Sequence, residues 1–390
     1  MTRKQMGILA GMAAVLLGAG VAINMHRSGE QSGVGGGNVF TDLTPALAEV
    51  GEIRLSKGDG SRTTLRRESA GWTVVERQYP ADATRVRELL VALNKLKIVE
   101  RKTSDPANYP KLGVEAPDKP TATSTLVEVV AGKKTWSLIV GKNAEGRAVY
   151  ARKPAEASSA LVEPVITVDP DQKRWLDRQL TDIPGANVHD ISVKPAAGPA
   201  YLLTRAKKGD TDLALSPVPK GRKPASSMSI NGQADTLTAF VFEDVRAAPA
   251  TPPANVERAT VRTFDGQVLE FTGHKDANKA FVSVSASRDA ALAAQFPEAK
   301  PAPAAPVVPA AAAPGAAKPA PAAAAATPTP APAPAPADQT VERLAARSAN
   351  VEYEIPLYKY ESLFKPQEEL LEKKPEPVAQ DKSKGKGKKP

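Results

Sequence analysis

Residues 52–96 read EIRLSKGDGSRTTLRRESAGWTVVERQYPADATRVRELLVALNKL, and a single change of hydrophobic period within them sets the fold class. The first part holds three short strand-like runs, Ile53–Leu55, Thr63–Arg67 and Trp72–Glu76. Gly58-Asp59-Gly60 and Ala70-Gly71 separate them as tight turns. Asp82 then reads as a helix N-cap. Val86, Leu89, Leu90, Leu93 and Leu96 follow at i, i+3, i+4, i+7 and i+10, one apolar face of a helix that ends before Ile98. The unit implied is a small antiparallel meander with a helix packed on it, an α+β arrangement.

The same pattern recurs further along. Thr103 to Pro120 reads as a loop, followed by strands at Thr125–Val130, Lys134–Val140 and Val149–Ala151. Val168-Asp169-Pro170 is read as opening a second helix, with Asp169 as N-cap and Trp175, Leu176 and Leu180 on its buried face. After Asp182-Ile183-Pro184 come strand-like runs at Val188–Val193, Ala200–Arg205 and Asp212–Leu215. A helix is expected over Ala234–Val245, introduced by Asn231-Gly232. Glu52-Ile53-Arg54-Leu55 aligns on Asp190-Ile191-Ser192-Val193, a period of roughly 138 residues that suits duplicated modules rather than a solenoid. A third, shorter echo runs through Val256–Thr263, Val268–Thr272 and Ala280–Ser285.

Lys300 to Ala337 is almost entirely Pro and Ala, a composition that favours extended polyproline II with a reach on the order of 100 Å. The residues after it, including the alternating Tyr353, Ile355 and Leu357, are too few to fold alone. They are therefore read as completing the third module around an inserted segment. The expected division is a cytoplasmic N-terminus and membrane span at 1–27, a Gly/Ser-rich leader at 28–39 and a first repeat at 40–184. A second repeat at 185–250 and a third, partial one at 251–299 with 338–364 follow. The disordered insertion is 300–337, and 365–390 is a disordered Lys-rich tail.

Met6 to Met25 carries no charged side chain and follows Arg3 and Lys4. Its length matches the roughly 20 residues a helix needs to cross a bilayer. The leading charges keep the N-terminus cytoplasmic and send the body outward, into the periplasm of a bacterial inner-membrane protein. The rival reading is a signal peptide cleaved after Gly20-Val21-Ala22. With no cysteine in the chain, a lipoprotein anchor, a disulfide framework, a thiol nucleophile and a Cys-based metal site are all excluded. The net charge of +9 owes much to Lys382, Lys384, Lys386, Lys388 and Lys389. That tail lacks the aromatics of a nucleic-acid surface and suits contact with anionic lipid or cell-wall polymer instead.

Gly71-Trp72, Tyr79-Pro80-Ala81-Asp82, Leu96–Thr103, Asn108-Tyr109-Pro110-Lys111-Leu112-Gly113, Pro117-Asp118, Trp175-Leu176-Asp177-Arg178 and Leu180–Pro184 resemble the signatures of the domain of unknown function 4340 (DUF4340) family. The likeness covers about residues 1–290 and extends to Tyr353–Phe364, and the Pro/Ala insertion and Lys tail depart from the common pattern. The resemblance implies an envelope protein, with membrane subunits of gliding-motility-type ABC transporters as partners.

The residues capable of chemistry have structural explanations. His26, His189 and His274 stand apart, without a second ligand at metal spacing. Asp169, Asp171, Asp177 and Asp182 are the densest carboxylates and could serve glycosidase-type catalysis, yet capping and pairing with Lys173 or Arg174 account for them. Trp72, Trp136 and Trp175 are read as core residues rather than a glycan groove. Gly33–Gly37 lacks the Lys-Ser/Thr of a phosphate loop, and no nucleophile elbow occurs. No catalytic, cofactor-binding or metal residue is assigned. The expectation is a non-enzymatic accessory or scaffold of a transport or motility-like envelope complex, and the alternative is a glycan-binding or glycan-hydrolysing module.

Overall fold

The computed structural model describes residues 36–144, 146–297 and 337–373, and the chain divides into two compact units between Arg178 and Gln179. The first unit is built on nine antiparallel strands: β1 (Val50–Lys57), β2 (Arg62–Glu68), β3 (Gly71–Val74), β4 (Tyr79–Pro80), β5 (Lys97–Arg101), β6 (Thr125–Ala131), β7 (Lys134–Ala144), β8 (Ala148–Arg152) and β9 (Ser159–Glu163). Their order in the sheet is β4-β3-β2-β1-β6-β7-β8-β9-β5. Alternation along β1, β2 and β6 buries Ile53, Leu55, Leu65, Val127 and Val129. Helix α1 (Ala83–Lys95) adds Val86, Leu89 and Leu93 to the buried set. Each such side chain stabilises by about 1.5–3 kcal/mol relative to exposure. Asp82 starts α1 by accepting from the amides of Thr84 and Arg85 at 2.9 and 3.2 Å.

On β7, Leu138 and Ile139 are both buried, although neighbours on a strand point to opposite faces. The sheet is therefore covered on both sides there. Ile139 packs in a separate cluster with Tyr109 and Val114, joined by Leu112, Leu126 and Tyr150. Tyr109 and Leu112 belong to the single-turn helix α2 (Tyr109–Leu112), which Gly113 ends at φ 69°.

In the second unit, β10 (Gln179–Thr181) and β14 (Phe240–Val241) form a two-stranded ribbon. The main sheet comprises β11 (Val188–Lys194), β12 (Tyr201–Thr204), β13 (Ala214–Ser216), β15 (Asp244–Ala247), β16 (Glu257–Thr263), β17 (Gln267–Asp276), β18 (Lys279–Arg288) and β19 (Val351–Ile355). Its order is β13-β12-β11-β16-β17-β18-β19-β15. The helices are α3 (Ser227–Asp235), α4 (Ala290–Gln295), α5 (Ala337–Ser348) and α6 (Leu357–Leu363).

With β4 set aside, the two sheets share one strand order, β3-β2-β1-β6-β7-β8-β9-β5 matching β13-β12-β11-β16-β17-β18-β19-β15. The match extends to register. Ile53 pairs with Leu65 and Val129, and Ile191 pairs with Leu203 and Val261. Both first strands carry an irregularity at the same place, Val50/Glu52 in one and Val188/Asp190 in the other.

Several expectations are corrected by this architecture. The segments 185–250, 251–299 and 338–364 pair into one sheet rather than forming a second and a third repeat. Strand β19, which follows the 298–336 segment, lies between β18 and β15. The helix expected from Asp169 is a 3-10 turn at Gln172–Trp175 capped by Asp171 and followed by β10. The Trp175 carbonyl accepts from the Asp82 amide, and the Asp177 amide donates to the Pro80 carbonyl, so this backbone is drawn out into extended pairing. The helix expected over Ala234–Val245 lies earlier, as α3. Asn231 and Gly232 sit inside it because Ser226 caps it, while the Asn231 side chain binds Leu213 and Asp212. Ala239 then takes φ 45°, and buried Phe240 and Phe242 follow the period of a strand.

At the chain's edges, ordered structure begins before Phe40, since Gly37 and Asn38 pair with β5. Residues 365–373 do not belong to the expected tail. Leu370 and Leu371 are buried, and Leu371 bridges to Pro224. Among the described residues no helix is long and apolar enough to cross a membrane. The expected span at Met6–Met25, the expected 300–337 insertion apart from Ala337, which opens α5, and the Lys382–Lys389 cluster lie outside the described residues.

Candidate functional site

Helix α1 buries Val86 and Leu93 and turns a neighbouring stripe, Arg85, Glu88, Leu89 and Ala92, toward a cleft of about 360 Å³. The spacing i, i+3, i+4, i+7 keeps these four on one side of the helix. Val165, Ile166, Thr167 and Asp169 form the opposite wall, completed by Arg174 and Trp175 from the 3-10 turn. The two walls are tied together by backbone bonding between Ala81-Asp82 and Trp175-Leu176.

Both cations of this cleft are paired. Arg85 Nε meets Asp82 at 3.1 Å, and Arg174 Nε meets Asp169 at 2.8 Å. All four side chains are at least one-third exposed, so each pair contributes only about 0–1 kcal/mol and can exchange partners readily. Trp175 is 6% exposed, and its indole N–H donates to the Asp169 carbonyl at 2.8 Å. The cleft thus offers an apolar floor of Leu89, Ile166 and Trp175 beneath a neutral polar rim, a form suited to holding an apolar side chain.

The other singled-out residues have distinct local roles. Asp171 caps its turn through the Lys173 amide, and Asp182 accepts from the Ala239 amide. Asp177 has interactions of its own and does not line the Trp175 cleft. His189 Nδ1 lies 2.5 Å from Asp190, whose buried carboxylate also accepts from Arg262 Nε at 3.0 Å. His274 stacks on Phe281 and reaches within 4.0 Å of Glu352, which is bonded to Arg246. His26 lies outside the described residues. No group of three potential metal ligands occurs among the described residues. Trp136 is 7% exposed and donates to Asp42 at 2.7 Å, an interaction that holds the Asp42 carboxyl below the usual aspartate range. Trp72 is half-buried on β3.

The structure brings together Asp169, Asp171 and Trp175, Asp171 donating its amide to the Asp169 carboxylate, and leaves Asp182, the described histidines and the other tryptophans in separate places. The cleft residues overlooked in the sequence are Val165, Ile166 and Thr167 on one wall and Arg85, Glu88 and Ala92 on the other. The signal for the last three was the second stripe on the helix that also carries Val86 and Leu93.

The Asn108–Gly113 signature forms a clamp on β7. Tyr109 donates its hydroxyl to the Ala157 carbonyl at 2.5 Å, and the Arg152 guanidinium lies 4.5 Å above the Tyr109 ring. Arg152 Nε donates to the Val114 carbonyl, and Lys142 holds the carbonyls of Pro110 and Lys111. The signatures Tyr79–Asp82 and Trp175–Asp177 bond to each other, as described above. These motifs specify packing and chain direction. A family model described as "Domain of unknown function (DUF4340)" matches residues 72–259, a span running from β3 into β16. No curated protein and no solved structure matches the chain. The residues that join the two walls of the cleft and those of the β7 clamp fall within that match, which supports the resemblance to the DUF4340 family over residues 72–259.

Proposed function

We propose that the protein is a non-enzymatic, membrane-anchored accessory or scaffold component of an ABC-type transport or motility-like envelope complex. In this reading Met6–Met25 is a transmembrane helix in a bacterial inner membrane, with the N-terminus cytoplasmic and the two α+β units periplasmic. The Lys382–Lys389 cluster adds contact with anionic lipid or cell-wall polymer.

The observation that carries the reading is the use made of the polar side chains. Asp171 and Asp182 bind backbone amides, Asp169 pairs with Arg174, and Trp136 and Trp175 are buried with their N–H groups bonded. Work of this kind belongs to a frame that presents surfaces, and the Trp175 cleft is one such surface. A glycan hydrolase would instead hold two free carboxylates flanking an exposed aromatic platform.

The test is affinity capture of the full-length protein from detergent-solubilised membranes, with Arg85→Glu, Arg174→Glu as the cleft variant. Recovery of ABC-transporter membrane subunits in moderate salt, reduced in the cleft variant, supports the proposal. Capture of no transporter subunit, together with retention on purified cell-wall material, refutes it and favours the glycan-binding alternative.

A further inference from the structure

The duplicated frame makes a comparison possible within one chain. Arg67 on β2 and Arg205 just after β12 are separated by the same 138 positions as Ile53 and Ile191. Both reach back to the turn that precedes the first strand of their sheet. Arg67 Nη1 donates to the Ala48 carbonyl at 2.8 Å, and Arg205 Nη1 donates to the carbonyls of Gly185 and Val188 at 2.8 and 2.7 Å. The shared role is to tie that turn to the sheet.

The surroundings then differ. Strands β2 and β3 are joined by Ser69-Ala70 alone, and Arg67 is exposed. Strands β12 and β13 are joined by Arg205–Leu213, and this longer loop walls in the arginine until only 3% of it is exposed. With Nη1 occupied, the remaining edge of the guanidinium is the Nε–Nη2 fork. Nε has no partner, and Nη2 makes one long contact of 3.4 Å to the Thr211 carbonyl. That edge is the one an oxyanion engages with two parallel bonds. Burial pulls the Arg205 proton affinity down while Asp235, Asp210 and Asp212 oppose it, as befits a cation without a directly bonded counter-ion.

A cavity of about 610 Å³ adjoins this arginine, lined in part by Asn187, Lys208, Asp210, Asn231 and Asp235. Gly185 leaves space for the Asp235 carboxylate, since a Cβ there would lie 2.1 Å from Asp235 Oδ1. Two cations and two carboxylates make the lining neutral overall. A bare dianion such as phosphate meets both carboxylates and is disfavoured. A molecule with a carboxylate for the fork and an ammonium group for Asp235 answers both signs.

We propose that this cavity binds a small zwitterion bearing both an amino group and a carboxylate, of the class of a free amino acid or short peptide. Arg205 and Lys208 hold the carboxylate, and Asp235 and Asp210 hold the ammonium group. The site is independent of the membrane-complex reading above.

The test is isothermal titration of the full-length protein in detergent with alanine, alanyl-alanine, N-acetylalanine, alaninamide and inorganic phosphate. Saturable binding of alanine or alanyl-alanine is expected, and the tighter of the two identifies a free amino acid or a peptide as the source. Blocking either end should weaken binding at least about tenfold, since each removes a charged hydrogen bond. Arg205→Lys keeps the charge and loses the fork. Because Arg205 also anchors Gly185 and Val188, circular dichroism checks its fold, and Asp235→Asn and Lys208→Ala, which leave those anchors intact, should each weaken binding. The inference is overturned if neither zwitterion saturates, if phosphate or N-acetylalanine binds as tightly, or if Asp235→Asn changes nothing.

Discussion

Gly141 and Gly51 both lie in strands of the first sheet, and the structure assigns opposite consequences to an added methyl group. At Gly141 a Cβ would sit 2.5 Å from the Leu112 carbonyl oxygen and 2.6 Å from that of Gly113. Both are backbone atoms of the β7 clamp, so no side-chain rotation relieves the clash. The clamp has to withdraw by roughly 0.9 Å to reach ordinary contact, which loosens Tyr109 and Val114 from Ile139 and lengthens the Arg152 bond to Val114. Overpacking of this kind costs about 1–3 kcal/mol, and the lower chain entropy of alanine returns about 0.5–1 kcal/mol. Because both clashing atoms are backbone, the upper part of that cost applies, and Gly141→Ala should destabilise the first unit by about 1–2 kcal/mol. At Gly51 no atom lies within 4 Å of the built Cβ, so Gly51→Ala should be neutral or stabilising by up to about 1 kcal/mol. Trp72, Trp136 and Trp175 are the chain's three tryptophans and all lie in the first unit, so fluorescence-detected urea unfolding of the whole protein reports on that unit. For an m-value of about 2 kcal/mol/M the Gly141→Ala midpoint falls by about 0.5–1 M. An unchanged or raised midpoint would refute the packing of the clamp on β7.

Removing the α1 cap by Asp82→Ala should cost the first unit about 1 kcal/mol in the same assay, and a loss below about 0.3 kcal/mol would mean that the cap is replaced by solvent. Burial raises the proton affinity of Asp265, but hydrogen bonds from Thr263, Gln267 and Asn187 outweigh it and hold this carboxyl below the ordinary aspartate range. A depressed folded-state value means that stability is fully present above the unfolded-state value and is lost as pH falls through the folded one. Circular dichroism melts should therefore show Asp265→Asn less stable than the natural protein at neutral pH, with the gap closing below about pH 4; a pH-independent gap would contradict this. Proteolytic cleavage within 298–336 should leave residues 337–373 attached, because β19 pairs with both β18 and β15 and carries the fully buried Tyr353. Separation of the two fragments by gel filtration without denaturant would count against that sheet order.

The parts of the fold legible in the sequence were those written in local pattern. Asp82 with Val86, Leu89 and Leu93 named α1 almost to its ends, because cap chemistry and a 3.6 period agree there. The strands β1, β2, β6, β16 and β17 were legible from alternation. Strands β5 and β9 were missed, since Lys97–Arg101 and Ser159–Glu163 are short and are specified by each other rather than by their own residues. The helices expected from Asp169 and over Ala234–Val245 failed for a related reason. In both places the apolar spacing fits a helix, but long-range partners, the Pro80–Asp82 backbone in one and β10 and β19 in the other, take the backbone bonds for sheet. The candidate sites were less legible still. Leu89 and Trp175 were visible as core residues, whereas the cleft between them depends on the pairing of Ala81 with Leu176, 95 positions apart, that local pattern does not encode.

The duplication explains where the two units are free to differ. The strand order and the bulge of the first strand are held in common, because a slip of one residue would exchange the buried and exposed faces of every paired strand. The links are not so constrained. Thr103–Ser124 carries the clamp that covers β7 in the first unit, whereas β15 and β16 are joined by only Ala248–Val256. Conversely, two residues join β2 to β3 where nine join β12 to β13, and Arg205, the first of the nine, is walled in beside the others. One arginine position thus serves as an exposed tie in the first unit and as the floor of a cavity in the second. Much of the difference lies in loop length, which costs little to change, and the helix carrying Asn231 and Asp235 completes the wall. Binding capacity in this frame should accordingly be sought in its links, where the two units diverge, rather than in the sheet positions they share.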